Sequence, residues 1–191
     1  MSWGWTEHGE SLRRGVCFMN TEQFWAIVES SRRVVEPERA DGNAQRQAEE
    51  LWKQLSRLPP EEIVEFDAQF QDKMDVAYQW DLWGVAYLVA GGCSDDGFTD
   101  FRSWLISMGR RVFEDAVSNA ESLIHVVDAP GVEDVFFEDF RYVPARAYEA
   151  LTGRDFPAHK GAGPSVPAGE EWGEQELAHR FPAFWARNGR E

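Results

Sequence analysis

The sequence predicts an all-α or nearly all-α protein, a compact single domain with a central Trp-, Gly- and Asp-rich helix hairpin. Three observations predict it. Apolar residues recur three and four apart in stretch after stretch, the period of one helix face. No segment sustains the apolar–polar alternation of a half-buried strand. Capping residues, glycines and prolines fall between the periodic stretches, where helices must begin and end. The length of 191 residues fits one domain with extensions, and 43% hydrophobic and 14% aromatic residues are ample for a core.

Residues 1–18 read as an N-terminal extension, because glycines and polar residues break any period there. Trp3 and Trp5 alternate within it and are candidate interface anchors. Helical signal begins at Asn20 or Thr21, with Asn20 and Gln23 at capping-box spacing. Phe24, Trp25, Ile27 and Val28 form the first apolar stripe, and residues 36–42 a polar loop. The next helix runs from about Asn43 to Leu58, with Ala44, Ala48, Leu51, Trp52 and Leu55 on one face. Pro59 and Pro60 end it, and Pro60, Glu61 and Glu62 open a third helix. Ile63, Phe66, Phe70 and Met74 line that helix, which either runs on or breaks near Asp72 into a helix over Val76–Ala90.

Gly91 and Gly92 stop that run. Ser94 or Asp95 caps a helix over Asp96–Val117, striped by Phe98, Phe101, Trp104, Leu105 and Met108 and interrupted at Gly109. The hairpin of these two helices should pack through Trp83, Tyr87, Phe98, Phe101, Trp104 and Leu105. Glu121–Val127 suits a short helix or a strand. Asp134–Leu151 reads as a helix with Pro144 as a kink and Gly153 as its stop. The predicted domain covers residues 19–153. A Pro/Gly-rich loop and short C-terminal helices packed on it fill residues 154–191, where Trp172 and Trp185 are further candidate interface anchors.

The net charge of −15 and pI near 4.7 argue against nucleic acid and anionic membranes as partners, since both are polyanions. Local basic doublets occur at Arg13-Arg14, Arg32-Arg33 and Arg110-Arg111. Two cysteines, Cys17 and Cys93, make no disulfide framework and fit a reducing cytoplasm. The longest apolar run, Leu82–Ala90, is far shorter than the roughly 20 residues of a membrane span.

The segments Met19-Asn-x-x-x-Phe24-Trp25-x-Ile27 and Leu58-Pro-x-Glu61-Glu62-Ile63-x-x-Phe66 carry a resemblance. Above all, Leu82-Trp83-Gly84-x-Ala86-Tyr87 and the run from Gly91 through Asp100, Arg102 and Trp104 to Ile106 resemble the bacterial DUF4240 domain family. The resemblance covers about Met19–Leu151 and implies a compact helical domain of unknown function, beginning near Met19. Some relatives are joined to a WGR module of the kind found in nucleic-acid-related proteins; this sequence shows no such module.

The turn between the hairpin helices is the candidate site. Asp95, Asp96 and Asp100 lie close together, with Asp96 and Asp100 on one helix face. They are candidates for acid–base work or for weak binding of a divalent metal. Helix capping alone also explains them. Gly91, Gly92 and Ser94 could present backbone N–H groups to a ligand, and Arg102 could grip an anion or pair with Asp95 or Asp81. Asp81 interrupts an apolar helix and is either a network member or a site residue. Cys93 precedes a helix start, yet none of His8, His125, His159 and His179 sits in a nucleophile or zinc motif. No cofactor is predicted. Trp25, Trp52, Trp80, Trp83 and Trp104 read as core. The leading expectation is a non-catalytic cytoplasmic accessory protein with an unidentified protein partner; the alternative is an enzyme or small-ligand or metal-binding protein using the Asp95, Asp96, Asp100 and Arg102 turn.

Overall fold

The structure is a computed structural model and describes residues 19–39, 41–159 and 161–188. The N-terminal extension with Trp3 and Trp5, His8 and Cys17 lies outside the described residues. The helices are α1 (Thr21–Arg32), α2 (Asn43–Leu55), α3 (Pro60–Val76), α4 (Trp80–Ala90), α5 (Asp95–Ser107), α6 (Arg110–Ser118), α7 (Glu138–Thr152), α8 (Leu177–Arg180) and α9 (Pro182–Asn188). Short 3₁₀ segments cover Ala120–His125 and Glu174–Glu176. No strand occurs among the described residues; Gln79 and Ala168 form one isolated parallel bridge.

Local chemistry starts the helices. Asn20 accepts from the Gln23 N–H, and Gln23 Oε1 accepts from the Asn20 N–H, both at 2.9 Å, which closes the capping box of α1. Pro60 occupies the first turn of α3, where its missing N–H costs nothing. α2 ends at Leu55 rather than Leu58. Arg57 and Leu58 fold into tight turns on Gln54 and Leu55, because the residue before a proline avoids helical geometry.

α7 lies at the centre, packed against α2, α3 and α5, while α1 covers α2, α3 and α5. The expected apolar positions of α3 are all buried: Ile63, Phe66, Phe70 and Met74. Phe24, Phe66, Phe70, Phe98, Phe101 and Phe140 are the large side chains of the interior. Ser31, Asn43, Gln47, Ser103 and Ser107 are buried polar residues within this core. Gln47 donates to the Ser107 carbonyl at 2.8 Å, and Asn43 ties the 36–39 turn to Gly131 through its amide.

Tertiary contacts move two boundaries away from the sequence expectation, the starts of α4 and α7. α3 passes through Asp72 unbroken and stops at Val76. The chain is diverted at residues 77–79 because Trp80 N–H donates to Ala168 O at 2.9 Å and Ala168 N–H to Tyr78 O at 2.8 Å. The helix expected over Val76–Ala90 therefore starts at Trp80. The interruption expected at Gly109 divides residues 96–117 between α5 and α6, because Gly109 adopts φ 94°, outside helical geometry. α7 starts at Glu138, not Asp134, since the preceding residues are held extended on α5. There Phe137 N–H donates to Asp100 O at 3.2 Å and Ser103 Oγ to Phe137 O at 2.7 Å.

The C-terminal segment packs on α4. Leu177, Phe181 and Phe184 are buried, and Trp172 donates its indole N–H to the Trp80 carbonyl at 2.7 Å. Gly84 makes this approach possible: a Cβ there would lie 2.6 Å from the Phe181 ring. No helix among the described residues is long and apolar enough to cross a membrane.

Candidate functional site

The turn between α4 and α5 is closed on itself. Gly91 adopts the left-handed conformation that terminates α4, and the Gly92 N–H returns to the Tyr87 carbonyl at 2.9 Å. Ser94 is the N-cap of α5, its hydroxyl accepting from the Gly97 N–H at 3.2 Å. The cap thus falls on Ser94, not Asp95. Asp95 and Asp96 stand exposed in the first turn, where negative charge favours the helix dipole. The seam of the hairpin is an aromatic ladder. Trp80 stacks on Trp83 at 5.4 Å, and Trp83 on Phe98 at 4.9 Å. Trp83 also donates its indole N–H to the Cys93 carbonyl at 3.1 Å. Tyr87 turns the other way, edge-on to Trp172 at 5.4 Å.

The expected partners of Arg102 are corrected. It pairs with neither Asp95 nor Asp81. Its guanidinium donates to the Met74 carbonyl at 2.9 Å and to Thr99 Oγ1 at 3.1 Å, and lies over the Tyr78 ring at 4.6 Å. Met74 lies in the last turn of α3, where carbonyls lack helical partners and a cation is favourable. Asp81 pairs instead with Arg180 of α8 at 2.6 Å, so it anchors the C-terminal segment.

Asp100 lies 3.6 Å from Arg141 of α7. Its side chain is only 19% exposed. Burial holds its carboxyl above the usual carboxylate range, with the Arg141 charge opposing and Glu138 and Asp96 adding to the rise. No group of three or more His, Cys, Asp or Glu among the described residues is arranged to hold a metal. Burial also pushes the half-buried Cys93 thiol up to about 11, so it rests as a thiol rather than a nucleophilic thiolate.

Beside Asp100 and Arg102 opens a groove of about 390 Å³ between α3, α7 and the loop after α7. Asp67, Thr99, Arg141, Tyr142 and His159 give it polar groups, and Phe70 and Phe156 are among its apolar walls. Burial holds Asp67 above the usual range; its hydrogen bond to Gln71 and the charge of His159 pull the other way. Asp100 Oδ1, Arg102 Nε and Arg141 Nε are buried without a hydrogen-bond partner, and of these residues Arg141 lines the groove. The sequence pointed to Asp100 and Arg102. It missed Arg141, Asp67 and His159, which stand in unrelated segments and are joined only by packing.

A second groove, of about 410 Å³, lies between α2 and α7 and is lined by Trp52, Glu49, Asp139 and Arg146. Trp52, expected in the core, is 37% exposed at its edge. Trp25 and Trp104 are buried, and Trp80 and Trp83 half-buried. Of the C-terminal candidate anchors, Trp172 is taken up between Trp80 and Tyr87, and Trp185 is half-buried against the core.

Comparison with known proteins agrees on one point. Residues 19–150 match a family described as a protein of unknown function, DUF4240, and the chain belongs to that family. No curated protein and no solved structure matches the chain.

Proposed function

From membership of a family without an assigned activity, we propose that this chain is a cytoplasmic accessory protein that acts by binding another protein rather than by catalysis. The observation that carries this reading is the α2–α7 groove. An exposed tryptophan at the edge of a concave surface is the side chain most enriched at binding hot spots. Glu49 and Asp139 outnumber Arg146 around it, and the whole chain carries −15. A basic segment fits this chemistry. A Lys or Arg of the partner would lie on the Trp52 ring and be drawn to Glu49 and Asp139.

The residues that could have carried catalysis are otherwise engaged. Arg102 serves the end of α3, Asp81 holds Arg180, and Asp95 and Asp96 face solvent. This weakens the alternative of an enzyme or metal-binding site at that turn. Cross-linking and mass spectrometry of the native chain against Trp52→Ala and Asp139→Lys tests the proposal. A specific partner should be captured through a basic segment, and both variants should lose it while keeping native circular dichroism. Capture that survives both variants, or turnover of a metabolite by the purified chain that Asp100→Ala abolishes, would replace this reading.

A further inference from the structure

We propose, resting on the reading of the α2–α7 groove as a docking surface for another protein, that its occupant is an amphipathic helix carrying a basic and an acidic residue seven positions apart. Both walls of the groove are helices, and each lines it over two turns, from Gln45 to Trp52 on α2 and from Asp139 to Arg146 on α7. At 1.5 Å per residue this is about 10 Å of helix on either side.

The walls decide what conformation fits. Backbone N–H and C=O groups inside a helix are already spent on its own ladder, and no strand among the described residues offers an edge. An extended peptide draws its affinity from such an edge, and here its backbone would meet side chains alone. A helix brings its backbone groups already satisfied and needs only a complementary face. Ala48 presents a single methyl on the α2 wall, which leaves room for a third helix to approach closely.

The charges set the register. Asp139 and Arg146 are two turns apart on α7 and lie within about 20° of one line along it. Both are exposed, and among the described residues neither has a hydrogen-bond or ion-pair partner. Glu138 and Arg141 of the same helix, by contrast, pair with each other at 3.4 Å. Two unpaired charges of opposite sign at this spacing are matched by the reverse pair at the same spacing on a neighbouring helix, a base against Asp139 and an acid against Arg146. The net charge of −15 attracts any basic segment but gives no reason for the acid. The acid two turns from the base is therefore the signature of this groove.

The test is selection from a displayed library of random peptides of about 16 residues, some four turns of helix, on the full chain. It is repeated on Trp52→Ala, Asp139→Lys and Arg146→Glu, each checked for native circular dichroism. Peptides that bind the native chain but not Trp52→Ala should carry Lys or Arg and Asp or Glu seven residues apart, with no proline between them. On Asp139→Lys the selected pair should become two acids, and on Arg146→Glu two bases. A peptide selected on the native chain should bind Asp139→Lys roughly tenfold more weakly and recover when its base is replaced by Glu. Asp139→Lys, at an exposed position, carries the test should Trp52→Ala misfold. Trp52-dependent peptides that are basic but lack the acid, or that tolerate proline between the two charges, overturn the helix and leave the basic-segment reading standing. Selection that yields no peptide dependent on Trp52 or Asp139 overturns both.

Discussion

Ser94 carries the start of α5, and the aspartates beside it do not. Its hydroxyl satisfies the Gly97 N–H, whereas Asp95 and Asp96 contribute only through the helix dipole from exposed positions. Ser94→Ala should therefore lower stability by about 1 kcal/mol, and Asp96→Ala by only a few tenths, at the low end of exposed dipole effects of about 0.3–1 kcal/mol. Urea midpoints at constant slope decide between them; a larger loss for Asp96→Ala would move the cap. Asp67 gives a pH-dependent counterpart. Burial raises its carboxyl above the unfolded value, so the folded state binds its proton more readily. The penalty is absent at low pH and grows as pH rises through the folded pKa. Asp67→Asn should accordingly raise the urea midpoint at pH 7 and leave it nearly unchanged near pH 3. An equal effect at both pH values would show that lost charge is not the cause.

At the scale of elements, α4 is the helix whose sequence can be understood only from what covers it. Gly84 sits mid-helix, where alanine would ordinarily be preferred by up to about 1 kcal/mol. Here the added methyl would meet Phe181 at 2.6 Å, Trp172 at 3.1 Å and Leu177 at 3.3 Å. Overpacking costs typically about 1–3 kcal/mol, so Gly84→Ala should destabilise despite its better propensity, by about 1 kcal/mol. A thermal-denaturation gain would mean that the C-terminal segment yields without cost. The same dependence explains why the sequence leaves open whether the helix runs on or breaks near Asp72. No residue between 70 and 76 stops a helix by itself; Ala168, ninety residues further on, pairs with Tyr78 and Trp80.

For the molecule as a whole, the family match ends at residue 150, yet buried side chains continue to Phe184. Leu177, Phe181 and Phe184 are buried, the Asp81–Arg180 pair and the Trp172–Trp80 hydrogen bond hold the segment down, and α4 packs against α9. Burial of one such side chain is commonly worth about 2–5 kcal/mol, comparable in sum to the whole stability of a domain, about 5–15 kcal/mol. A chain ending at residue 153 should therefore lose its cooperative urea transition or show a far lower midpoint. A sharp transition at the full-length midpoint would make the segment an appendage. The Asp81→Ala variant, which removes one half-exposed pair, should cost no more than about 1 kcal/mol.

The helical class, the α1 capping box, the buried stripe of α3 and the glycine stop after α4 are legible in the residues themselves. Each rests on interactions within a few residues, which spacing reveals directly. That Arg102 serves Met74, that Asp81 meets Arg180, that Trp52 stays at the surface, and that Arg141, Asp67 and His159 share one groove follows from packing alone. These outcomes depend on how helices distant in sequence are packed. Burial, and not neighbourhood along the chain, fixes which charge finds which partner.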